Sequence, residues 1–156
     1  MKNKALPLFI GSLLIWATAT LFVVSKVQPD TEVITHISVT GKTTTSKSAG
    51  DLYLLLGISL AIIGGTFLMS LYTEKMNYPF ALTAENKKQA FKKMKIFLGI
   101  ICLAVTTLFM CIALKSLNLL AVNNVTVVLT SIIFFSAVLP IVLIGLLREK
   151  TVIDIP

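Results

Sequence analysis

This 156-residue sequence holds a single histidine, His36. It stands in the stretch VITHISVT, Val33 to Thr40, with Asp30, Glu32 and Asp51 as the nearest carboxylates in the chain. A single histidine beside carboxylates can act as a contact or as a pH-sensitive group, and it can equally be an ordinary surface side chain. It cannot make a metal site alone. The two thiols, Cys102 and Cys111, are nine residues apart in one apolar run. On a helix that is about 13 Å of rise and half a turn out of phase, so they cannot bridge within that helix. No phosphate loop, H-E-x-x-H pair or paired-cysteine metal spacing occurs. Catalysis would have to rest on Ser, Thr or Cys without a base, so the sequence predicts no enzyme, no cofactor and no metal.

The elements around these residues are apolar. The mean hydropathy is +0.91 and only 13% of residues are charged, against nearer a quarter in soluble domains. The shortage gathers in four almost uncharged windows, each about a bilayer thick. The sequence therefore predicts an all-α fold. It is a four-helix transmembrane bundle in one integral membrane domain over residues 1–156, with helices about 6–26, 52–73, 96–115 and 121–147. No Asp, Glu, Lys, Arg or His falls inside the four apolar cores, which argues against a pump or proton-coupled carrier.

The stretch EKMNYPFALTAENKKQAFKKMK, Glu74 to Lys95, sets the orientation. It carries Lys75, Lys87, Lys88, Lys92, Lys93 and Lys95 against Glu74 and Glu85. With Lys2, Lys4, Arg148 and Lys150, ten of the fourteen basic residues fall on one side, and Lys26, Lys42, Lys47 and Lys115 on the other. Basic residues in short loops favour the cytoplasmic side, so both termini and this loop are predicted inside. The net charge of +7 is then topology and attraction to anionic lipid, not a nucleic-acid surface. Lys26 and Lys115 stand at outer helix ends, where such side chains snorkel.

Between the windows the chain carries local signals. Val33 to Thr40 is β-branched and alternating, which predicts a short strand or hairpin ended by Gly41 in the outer loop. Gly57, Ala61 and Gly65 recur every four residues in the second helix, a spacing that lets another helix approach. Asn77-Tyr78-Pro79 is a turn signal, and Thr83 is placed to cap a helix with Glu85 in its first turn. From Asn86, Phe91 and Met94 among lysines suggest an amphipathic turn or two at the membrane surface leading into the third helix. Asn124-Val125-Thr126 matches a glycosylation sequon but lies close to the membrane. Pro140 is expected to kink the fourth helix.

Two loops carry a resemblance. The outer one has Pro29-Asp30, Thr35-His36, Gly41 and Ser46-Lys47-Ser48; the inner one reads Asn77-Tyr78-Pro79, then Thr83, Glu85 and Asn86. Together they resemble a bacterial multi-pass membrane family of unknown function that includes the membrane half of Sdp-type immunity proteins. Here one residue is added between Pro29 and His36, and Ile34 stands where the family usually has proline. The resemblance implies a non-enzymatic protein of the bacterial cytoplasmic membrane that recognises an extracellular or membrane-active peptide. Its implied contacts are Pro29, Asp30, His36, Gly41 and Lys47, with the inner loop holding a partner. The alternative reading is a structural or accessory subunit of a membrane complex packed through Gly57, Ala61 and Gly65, or a small transporter. The partners expected are the lipid bilayer and a peptide or membrane protein.

Overall fold

The computed structural model describes residues 5–28, 30–38, 40–78, 82–134 and 136. It is an all-α fold with one small hairpin. In chain order the elements are α1 (Leu6–Lys26), β1 (Val33–Ile37), β2 (Thr43–Ser46), α2 (Gly50–Leu71), a 3-10 turn (Thr73–Lys75), α3 (Ala84–Ser116) and α4 (Asn124–Ile133). Helices α1, α2 and α3 are each long and apolar enough to cross a membrane. The described part of α4 is a shorter apolar helix; the rest of the expected 121–147 span, Pro140 included, lies outside the described residues. The second helix runs two residues earlier at each end than the 52–73 expected.

Proline near the start of α1 has no amide to waste there. Thr83 starts α3 through a capping box. Its hydroxyl accepts from the Asn86 amide at 3.3 Å, and the Asn86 side-chain oxygen accepts from the Thr83 amide at 3.0 Å. The expected amphipathic turns prove to be the first turns of α3 itself, since the helix is continuous over 33 residues. Ala90 is buried there and Met94 packs against the core, so those turns join the bundle.

Helices α1, α2 and α3 share a core in two parts. Val23, Val33, Leu52, Leu56, Met110 and Ala113 close the end beside the hairpin. Ala5, Phe9, Ile63, Leu98 and Cys102 close the lysine-rich end, where Phe9 meets Phe67 edge to face at 5.4 Å. Between them the Trp16 indole N–H donates to the Leu56 carbonyl at 3.0 Å, and the Ser59 hydroxyl donates to the same oxygen at 2.8 Å. Lipid offers no hydrophobic drive between helices, so packing and such bonds hold the bundle.

The close approach between helices is at Gly99, not along the expected small-residue stripe. A Cβ on Gly99 would sit 2.9–3.0 Å from the Leu8 side chain of α1. Gly57, Ala61 and Gly65 are exposed, and nothing among the described residues lies within 4 Å of a Cβ placed on Gly57 or Gly65. The four-residue spacing identified a face of α2, but that face points away from α1 and α3.

Candidate functional site

The outer loop is built from a turn, a hairpin and a second turn. The Thr31 amide donates to the Gln28 carbonyl at 3.0 Å, and the Gln28 amide donates back to the Thr31 hydroxyl at 2.7 Å. Strands β1 and β2 then pair antiparallel, with His36 opposite Thr44 and an irregularity between Ile34 and His36. That irregularity breaks the alternation, so Val33 and Ile34 are buried in succession while Thr35 and His36 are exposed. Burial of Val33 and Ile34 fastens the hairpin to the bundle. At the exit, the Ser48 hydroxyl accepts from the Gly50 amide at 3.2 Å and satisfies a free donor at the start of α2.

The hairpin turn needs Gly41. Its φ is +84°, in the left-handed region. Its amide donates to the Ser38 carbonyl at 2.9 Å, and the Ser38 amide donates to Lys42 across the turn at 2.8 Å. A Cβ on Gly41 would meet Val125 Cγ2 at 3.0 Å, and the Gly41 carbonyl accepts from the Asn124 side-chain amide at 3.2 Å. The turn therefore rests on the first residues of α4. Asn123 caps that helix, accepting from the Val125 amide at 3.1 Å.

Beneath the hairpin lies a groove of about 260 Å³. His36 and Ile37 of β1, Ile112 and Ser116 of α3, and Val128 and Ser131 of α4 line it. The lining is mostly apolar, with one imidazole and three hydroxyls, those of Thr35, Ser116 and Ser131. All three hydroxyls are already committed: Thr35 donates to the Thr44 carbonyl at 3.3 Å, Ser116 to Ile112 at 3.0 Å and Ser131 to Val127 at 2.8 Å. Among the described lining residues this leaves the His36 side chain to address a polar group in the groove.

The sequence-predicted residues thus fall into three sets. His36 and Gly41 sit on the hairpin, one at the groove and one at the contact with α4. Asp30 and Lys47 are exposed, and among the described residues neither they nor Glu32 or Asp51 bonds to His36. Pro29 and Pro79 lie outside the described residues. In the inner loop, Thr83 and Asn86 form the capping box and Glu85 stands exposed in the first turn. The Tyr78 hydroxyl donates to the Thr73 carbonyl at 2.8 Å, its ring lies 5.8 Å from that of Phe91, and partial burial pushes the phenol up from its ordinary value. Asn77 is exposed. This motif shapes the loop; among the described residues no cluster of three metal-ligating side chains occurs.

Two participants escaped the sequence. The sequence marks Asn124 only as part of a sequon, because nothing local links it to a glycine 83 residues away. Lys115 was expected to snorkel outward, yet it is only 8% exposed, with Nζ donating to the Leu120 carbonyl at 3.4 Å. The connection after α3 folds over it. No family model, curated protein or solved structure matches the chain.

Proposed function

We propose that this is a non-enzymatic immunity-type protein of a bacterial cytoplasmic membrane, which recognises an extracellular or membrane-active peptide at its hairpin end. The membrane setting follows from the three apolar helices. The observation that carries recognition is the groove under the hairpin, where His36 faces an apolar lining shared by β1, α3 and α4. A membrane-active peptide presents apolar side chains together with polar backbone, and this lining offers a match for both. Lys47 is exposed immediately after β2 and supplies a positive charge at the base of the hairpin. The resemblance of the two loops to the Sdp-type family supports the same direction.

Cells lacking the protein are challenged with the organism's own secreted peptides, then complemented with His36→Ala and Lys47→Ala. Recognition predicts that both variants melt within about 0.5 kcal/mol of the parent, as exposed substitutions do, while protection is lost. Loss of protection together with stability makes the loop a scaffold. Full protection by both variants removes these side chains from the function.

A second reading is an accessory subunit of a membrane complex. Gly57, Ala61 and Gly65 favour it, since the bundle leaves them exposed on α2. Gly65→Leu would then abolish co-purification of a membrane partner without lowering the melting temperature of the isolated chain.

A further inference from the structure

On the other side of the α3–α4 seam lies a second groove, of about 350 Å³. Thr107, Leu108 and Cys111 of α3 face Thr130 and Phe134 of α4 across it, and Leu120 of the connection closes its top. The described part of α4 buries no residue, so the two helices stand apart here. Lys115 follows Cys111 by four positions and therefore continues the same helix face. Its Nζ bonds to Leu120, the residue that closes the groove.

Lys115 is the anomaly that gives the groove a ligand. An ammonium has three donors. Lys115 as a residue is 8% exposed, and among the described residues its ammonium has a single acceptor at 3.4 Å and pairs with no carboxylate. A buried charge left so poorly matched is costly unless an anion joins it. The groove's lining on α3 runs from Cys111 down to Ala104, about 10 Å of helix rise, and Lys115 stands one turn above it. One leaflet's hydrocarbon is about 15 Å deep, half of a ~30 Å core. The medium outside α3 at this depth is acyl chain.

We infer that the α3–α4 groove binds one anionic phospholipid from the leaflet at the hairpin end, its acyl chain along Cys111 and Leu108 and its phosphate on Lys115. The site is distinct from the groove at His36 and Ser131, which opens on the other side of the seam, with Val127 lining both.

Cys111 provides the readout in the unmodified protein. It is an exposed free thiol in this groove, while Cys102 is buried. Delipidated protein in detergent is labelled with a maleimide and followed by intact mass. Micelles carrying phosphatidylglycerol should slow Cys111 labelling about fivefold more than micelles carrying the same fraction of phosphatidylcholine. Glycerophosphate without an acyl chain should not slow it. K115Q should bring the phosphatidylglycerol rate to the phosphatidylcholine rate, and K115R should keep the difference; if K115Q fails to fold, the lipid comparison on the parent decides. Equal protection by both lipids overturns the inference, as does protection by glycerophosphate. A thiol already blocked before lipid is added would mean that the chain fills its own groove. A rate that falls as protein concentration rises would mean that a second copy occupies it. Either result also overturns the inference.

Discussion

The Asn124 side-chain amide holds the carbonyl of Gly41 at 3.2 Å, joining the outer hairpin to the first turn of α4. Gly41 contributes both its left-handed backbone and its lack of a side chain, because Val125 occupies the space a Cβ would need. Asn124→Ala should cost about 1 kcal/mol through the lost bond. Gly41→Val should cost more, since it adds backbone strain to the clash. Both act on one contact, so the double variant should lose less than the sum of the two. Thermal melts in detergent test this; strict additivity would show that hairpin and α4 are energetically separate.

Helix packing gives an opposed pair of substitutions. Gly99→Leu drives a side chain into Leu8 and should destabilise by about 1–3 kcal/mol. Gly57→Leu points into open space and should leave the isolated chain's melting temperature nearly unchanged. If Gly57→Leu is the more damaging variant in detergent, α2 has the opposite face inward.

Trp16 ties α1 to α2 through one hydrogen bond to Leu56. Trp16→Phe keeps most of the ring and removes the donor. The expected loss is about 0.6 kcal/mol, the average for hydrogen bonds measured between membrane helices. Ser59 still donates to the same carbonyl, so no acceptor is stranded. A loss well above about 2 kcal/mol would mean that ring shape, not the bond, fixes this contact.

The start of α3 is set by the Thr83–Asn86 capping box. Thr83→Ala should cost about 1 kcal/mol and raise amide hydrogen exchange in the first turn, Glu85 to Lys88, while exchange around Cys102 stays unchanged. Exchange that rises equally along α3 would show the helix to melt as a single unit.

Orientation is tested by cysteines introduced at Lys42 and Lys88 on a cysteine-free background. An impermeant reagent on intact cells should label the first and not the second, because ten basic residues favour the lysine-rich side as the inside. The reverse pattern would invert the protein and carry the groove beneath the hairpin to the cytoplasm.

Much of this architecture is readable from local pattern. The apolar windows give α1, α2 and the span of α3; the β-branched run before Gly41 gives the hairpin; Thr83 gives a helix start. Each of these is decided by neighbours in sequence. What pairs distant segments is not so readable. Gly57, Ala61 and Gly65 mark a face without saying what stands opposite, while the glycine in close contact, Gly99, has no repeating small partner to announce it. Lys115 looks like any lysine at a helix end until the connection after it folds across, and His36 gains a groove only when α3 and α4 arrive beneath it.

The unbroken course of α3 makes it a lever. Its 33 residues span about 50 Å, well beyond a ~30 Å hydrocarbon layer. One end carries Ser116 beneath the hairpin and the other carries Lys87, Lys88, Lys92 and Lys93. There is no hinge between them to absorb a displacement. A pivot of roughly 5° about its midpoint would swing each end by about 2 Å. A displacement of the hairpin end of α3 would therefore carry to its lysine-rich end without any loop rearrangement.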